Sequence, residues 1–306
     1  MDLTLVFEQL LNGVQLGIFL FLMAAGLTLV FGIMDMMNLA HGSLYMIGAY
    51  VAASVTIWSD SFLLGVAAAL PAVLLIGIAV EVIVLRTLYQ RGHLDQVLAT
   101  FGLILFFNEL TRLIWGADGL SVPLSAFLNS SISLFGLPYP MYRVMVIGVG
   151  LAVAAGLYFL VAKTRLGMLI RAGASNREMV GAMGVDIKLI FTLVFGLGAT
   201  LAGLAGTMAG PIFSANIGMG EDILILTLVV IVIGGIGSIR GAFVGAVLVG
   251  VIDVMGRSYL DTFFKLFLHN EAAETAAPAV ASMLIYLLMA AVLFFRPQGL
   301  FPARTG

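Results

Sequence analysis

Long apolar runs separated by short polar breaks dominate the chain. They lie near residues 9–33, 40–58, 62–85, 95–115, 141–162, 188–211, 222–238, 241–257 and 279–296. A helix needs roughly 20 apolar residues to cross the hydrocarbon core of a bilayer. The pattern therefore predicts an all-α integral membrane protein, a polytopic bundle of about 8–9 transmembrane helices forming one domain over residues 1–306. The seventh and eighth runs are short and are parted by a Gly-rich break.

Composition agrees with that pattern. Hydrophobic residues make up 62% of the chain and charged residues 10%, where a soluble domain carries about 25% charged. So few charges cannot cover a water-exposed surface, and lipid is the natural solvent. The net charge of −2 gives no reason to expect a nucleic-acid partner. With no cysteine, disulfides and thiolate metal sites are excluded. His41, His93 and His269 are far apart in sequence, so neither a metal site nor a bound cofactor is expected. The first basic residue is Arg86, so the N-terminal run lacks the basic start of a secretory signal and reads as a retained span.

Basic residues predict the orientation. With the N-terminus outside, ten of the fourteen fall inside: Arg86, Arg91, Lys163, Arg165, Arg171, Arg177, Lys188, Arg240, Arg296 and Arg304. Arg112, Arg143, Arg257 and Lys265 fall outside or near that face. The expectation is N-out and C-in, with Trp58 and Trp115 at outer helix ends, where an indole suits the interface. The outer segments are then 116–140, 212–221 and 258–278, and the main inner one is 163–188.

The 36 glycines suit close helix packing. Ala199, Gly203, Gly206 and Gly210 form a smooth stripe on one helix face, and Gly241 and Gly245 form a small-xxx-small pair. The turns 32–42 and 234–241 both carry glycine between two apolar runs, a pattern that an internal duplication could leave.

The stretch GIMDMMNLAHGSLYMIGAY, 32–50, concentrates polar residues between apolar runs. On a continuous helix, Asn38, His41, Tyr45 and Gly48 would share a face. An unpaired polar group in hydrocarbon costs several kcal/mol, so this face should look into the bundle or a wet cavity. Two readings stay open. Asn38, His41, Gly42 and Tyr45 line a substrate pathway, or they form a tight inner turn in which His41 bonds a backbone carbonyl. Near an outer helix end, Glu109 and Arg112 are three residues apart and suit a structural ion pair. Glu81 and Asp253, near other helix ends, are given the same structural reading.

Residues 163–188 carry helix punctuation. Ser175-Asn176-Arg177-Glu178 fits the S-x-x-E capping box, and Gly184 fits a helix stop. Met179, Val180 and Met183 would share one side of the helix between them. So short a helix needs a packing partner, either the bundle's inner end or a groove in another protein. The flanking basic residues can also contact lipid headgroups. There is no G-x-x-x-x-G-K-[ST] phosphate loop, no H-E-x-x-H and no G-x-S-x-G. Intramembrane charges for a proton or sodium relay are few. A stand-alone channel or secondary carrier is the alternative class, and a membrane scaffold a third.

The run GLTLVFGIMDMMNLAHGSLYMIGAY resembles the signature of LivH-type permeases of branched-chain amino acid ABC importers. RAGASNREMVGAMGVDI resembles their coupling segment. GGIGSIRGAFVGAVLVGVI and FRPQGLF, residues 295–301, resemble their Gly-rich turn and C-terminal end. The resemblance implies a permease subunit of an inner-membrane importer without its own ATPase site. Its partners would be a second related permease, two cytoplasmic ATPase subunits that bind ATP and Mg, and an external solute-binding protein. Substrate would cross by alternating access. Leucine, isoleucine and valine are the first expectation. Urea, other amino acids and aromatic or short carboxylates are carried by similar relatives. The residues implied in ATPase coupling are Arg171, Ser175, Arg177, Glu178, Met179, Val180, Met183 and Gly184. Two positions depart from the family pattern: Ser175-Asn176 stand where acidic residues are common, and Arg240 where proline is.

Overall fold

The computed structural model describes residues 3–134 and 136–301, so Arg304 lies outside the described residues. The helices are α1 (Leu3–Met34), α2 (His41–Ser59), α3 (Phe62–Ile83), α4 (His93–Trp115), α5 (Met141–Lys163), α6 (Arg165–Ser175), α7 (Arg177–Ala182), α8 (Ile187–Phe213), α9 (Met219–Gly234), α10 (Ile239–Phe264) and α11 (Asn270–Phe295). A 3₁₀ turn, Leu85–Thr87, follows α3. Inside the long 116–140 segment, β1 (Ser131–Leu134) and β2 (Leu137–Pro140) pair antiparallel, with Ser131 opposite Pro140. The spacing of apolar residues gave no sign of this hairpin.

Among the described residues, seven helices are long and apolar enough to cross a membrane: α1, α3, α4, α5, α8, α10 and α11. The other two apolar runs also form helices, but shorter ones. α2 has 19 residues and carries His41, Ser43 and two tyrosines; α9 has only 16, about 24 Å at 1.5 Å per residue.

Burial separates a central layer from a lipid-facing one. In α1, 83% of the most apolar window is buried, and in α8 72%, against 17% in α5 and 11% in α11. α1 packs along α10 and α8, and α2 packs between α8 and α3. Glycine permits these contacts. A Cβ on Gly206 would lie 1.9 Å from the Tyr45 carbonyl oxygen, and one on Gly48 would lie 2.5 Å from that of Gly203. Such spacing leaves no room for any side chain.

The same plan occurs twice. α1 and α8 each end at a residue in a positive-φ conformation, Asp35 (51°) and Ser214 (60°). Each is followed by a non-helical break (35–40 and 214–218), a short helix (α2 and α9), and a further long helix (α3 and α10). Glycine is the second residue of both short helices: Gly42 and Gly220. The first helix of each unit packs on the last helix of the other, α1 on α10 and α8 on α3. The turns 32–42 and 234–241 are therefore not counterparts. In this plan the break 35–40 matches 214–218, whereas the α9–α10 turn matches the turn between α2 and α3.

Contacts sort the connections between two ends of the bundle. At one end, Gly32 lies beside Gly237, Gly173 beside Ile33, and the Leu300 N–H donates to the Ile233 carbonyl at 2.8 Å. This end holds Arg86, Arg91, Lys163, Arg165, Arg171, Arg177, Lys188, Arg240 and Arg296. The opposite end holds the β1–β2 hairpin, the Leu120–Ala215 bridge and the remaining described basic residues.

Candidate functional site

The basic end carries the first candidate. α6 opens on Thr164, whose hydroxyl accepts the Gly167 N–H at 3.1 Å. Its buried face is Gly167, Ile170 and Gly173, and it rests on the end of α5 and on α1. Arg171 is exposed, and its guanidinium donates to the Val161 carbonyl. The helix was hidden from motif reading, although Leu166, Leu169, Ile170 and Gly173 have helical spacing.

α7 follows after one residue. Its cap is Asn176, whose side-chain oxygen accepts the Met179 N–H at 2.9 Å. The expected capping residue, Ser175, instead ends α6. The frame shifts by one because Asn176 adopts extended backbone, φ −154° and ψ 94°, as a cap requires. Arg177 opens α7, and its side chain lies outside the described residues. Glu178 is exposed in the first turn. Gly184, at φ +83°, ends the segment, with the Val185 N–H returning to the Val180 carbonyl. The expected apolar side divides. Val180 turns inward and is buried, whereas Met179 is 60% and Met183 77% exposed. At the basic end the protein thus presents two methionines on a short, firmly capped helix.

The second candidate is the meeting of α2 and α9. Asn38 precedes α2 in the non-helical break, so Asn38, His41 and Tyr45 do not share one helix face; the turn starts too late for that. The Asn38 side-chain oxygen accepts the Ala40 N–H at 3.1 Å, while its amide nitrogen has no partner among the described residues. His41 is fully buried. Its Nε2 faces Gly26 on α1, with the Met23 carbonyl the polar group beside it. Neither ring nitrogen makes a well-formed hydrogen bond among the described residues. Tyr45 is also buried, and Gly42 meets Gly220 backbone to backbone. The pairing of Gly42 with Gly220, and of Gly26 with Gly198, escaped the sequence reading. A glycine just after each helix break was its only trace. Broken helices whose N-termini converge inside a bundle are the arrangement by which many transporters handle solutes.

Glu109 and Arg112 pair at 2.6 Å, with side chains 66% and 52% exposed, in the C-terminal part of α4. One residue earlier, the Asn108 amide donates to Glu221 of α9 at 2.6 Å, a partner that sequence did not suggest. A surface cavity of about 460 Å³ lies between α10 and α11 against Gly256, Tyr259, Phe263 and Leu284, away from all of these residues.

Comparison with known proteins matches residues 9–293 to a family described as branched-chain amino acid transport system, permease component. The high-affinity branched-chain amino acid transport system permease protein BraD of Pseudomonas aeruginosa is 29% identical, over 96% of this chain and 94% of that protein. The corresponding protein LivH of Salmonella typhimurium is 31% identical, over 84% of this chain and 88% of its own length. A probable branched-chain amino acid transport permease protein LivH of Methanocaldococcus jannaschii is 26% identical, over 92% and 88%. No solved structure matches the chain.

Proposed function

Because the chain belongs to the family of branched-chain amino acid transport system permease components, we propose that it is the membrane-spanning permease subunit of an ATP-driven importer for leucine, isoleucine and valine. The observation that carries this reading is the length of the match, which spans nearly every helix of the bundle. The protein is a multi-pass protein of the inner membrane.

In this reading the chain crosses nine times: seven times as the longer helices, and twice as a non-helical break followed by a short helix (35–40 with α2, 214–218 with α9), so that the N-termini of α2 and α9 meet at Gly42 and Gly220 within the membrane. The N-terminus faces outward and the C-terminus inward. The crowding of described basic residues at the α6–α7 end supports that orientation. The partners are a second related permease, two ATPase subunits on the inner side that bind ATP and Mg, and an external solute-binding protein. This chain supplies the path and not the hydrolysis.

The segment 163–188 is the coupling segment. Met179 and Met183 enter an apolar groove of an ATPase subunit, and Arg171, Ser175, Arg177, Glu178, Val180 and Gly184 belong to the same coupling segment. The support is two largely exposed methionines on a capped helix at the basic end, where a water-facing surface would favour polar residues. Asn38, His41, Gly42 and Tyr45 border the path when α2 and α9 move apart. Buried nitrogens without partners support this, because movement that lets them meet solute or water relieves their cost.

The test is co-purification. Met179→Asp places a charge in the proposed apolar contact and leaves the membrane helices untouched. It should lower ATPase association at least tenfold while the variant still inserts in the membrane. Normal association would mean that this face does not dock the ATPase.

A further inference from the structure

The inner end of α3 holds a charge cluster that the transport reading leaves unused. The Glu81 side chain is fully buried, in a chain with only 10% charged residues. Its Oε1 accepts from the Tyr89 hydroxyl at 2.5 Å and from Arg86 Nε at 3.3 Å. Its Oε2 accepts from Arg86 Nη2 at 3.1 Å and from the Thr192 hydroxyl at 2.7 Å. Arg86 Nη2 also donates to Thr192 Oγ1 at 2.9 Å. The Tyr89 ring stands edge-on to Phe191, with centroids 5.2 Å apart. Burial, and then the bond to Glu81, push the Tyr89 phenol above its ordinary pKa, so it remains a donor.

One carboxylate therefore ties α3 and the turn after it to the first turns of α8. Those turns adjoin the coupling segment. Asp186 caps α8 by accepting the Lys188 and Leu189 N–H groups, and it follows α7 by only a few residues. A displacement of α7 reaches α8 along the chain itself. It then needs a firm side-to-side link to reach α3, whose contacts with α8 further along are apolar and non-directional, as where Gly77 faces Ala199 and Gly203 faces Val73. A buried carboxylate is a firm link, because any shift that breaks its bonds leaves the buried Glu81 charge without partners.

We infer that Glu81, gripped by Arg86, Tyr89 and Thr192, is a positioning residue that transmits coupling-segment movement from α8 to α3. This rests on the reading of 163–188 as the coupling segment. Thr192 is the place to cut. Thr192→Val removes the α8 hydroxyl at nearly constant volume and leaves Arg86 and Tyr89 on the carboxylate.

The experiment uses the full complex, with partner permease, ATPases and binding protein, in liposomes loaded with ATP. ATP hydrolysis and leucine uptake are measured together. Thr192→Val should assemble and hydrolyse ATP normally, with leucine moved per ATP reduced about tenfold, the factor expected when a hydrogen bond to a charged group no longer contributes to the coupled state. Thr192→Ser, which restores the hydroxyl, should recover the ratio. An unchanged ratio in Thr192→Val overturns the inference. So does a parallel loss of assembly, hydrolysis and uptake, which would make the cluster purely structural. If Met179→Asp weakens ATPase association while Thr192→Val transports normally, the joint alone is wrong. If Met179→Asp associates normally, the coupling reading itself has failed.

Discussion

The contact between Gly42 and Gly220 permits a sharp test of how the two broken helices are held. A Cβ added at Gly42 would lie 2.3 Å from the Gly220 carbonyl oxygen and 2.7 Å from its carbon. A Cβ added at Gly220 would lie 2.3 Å from the Gly42 carbonyl oxygen. Carbon and carbonyl oxygen in tight packing approach to about 3.3 Å, so Gly42→Ala demands a separation of roughly 1 Å. Backbone stands on both sides, so no rotamer change absorbs it. The cost belongs at the top of the overpacking range, about 3 kcal/mol. At roughly 2–3 °C per kcal/mol for a chain of this size, the thermal midpoint should fall by about 5–10 °C. Gly220→Ala should do the same. The double variant should cost less than the sum, because one separation serves both methyl groups and neighbouring substitutions are not additive. Thermal unfolding of the purified protein in detergent, followed by size-exclusion, reads all three. Gly102→Ala is the control: it lies in α4, and an added Cβ meets nothing within 4 Å. It should be neutral or stabilising by up to about 1 kcal/mol. If Gly42→Ala melts with the control, or the double variant equals the sum of the singles, the two short helices are not locked through these glycines.

Two further outcomes follow from the same geometry. His41→Ala removes a buried ring whose nitrogens have no well-formed bonds, so the folded complex should lose at least tenfold in leucine uptake if the ring borders the path; uptake equal to wild type, with the protein intact, would reduce His41 to packing. Glu109→Gln breaks an ion pair whose two partners are both more than half exposed, and should change stability by less than about 1 kcal/mol; a loss of several kcal/mol in denaturant unfolding would show that the pair is buried by something else.

Hydropathy alone determined a great deal. Each of the nine apolar runs became a helix, because lipid leaves backbone N–H and C=O groups no partner except their own segment. The distribution of Lys and Arg matched the grouping of connections at two ends of the bundle. Local chemistry also located the helix stop at Gly184, since a positive φ suits glycine whatever surrounds it. The cap at Asn176 was misplaced by one residue. Ser and Asn are nearly equal as caps, and only the backbone conformation, extended at Asn176 while Ser175 stays in α6, separates them.

The tertiary structure decided the rest, because it depends on which helices meet. Asn38 and His41 read as one helical face until the break at 35–40 separated them. Glu81 and Thr192, and Gly42 and Gly220, are far apart in the chain, and no local pattern ties either pair together. Val180 and Met179 are adjacent apolar residues, and only the packing of α7 on its neighbours turned one inward and left the other exposed. Periodicity reports that a residue is apolar or polar. The neighbour that satisfies it, or fails to, is set by the fold.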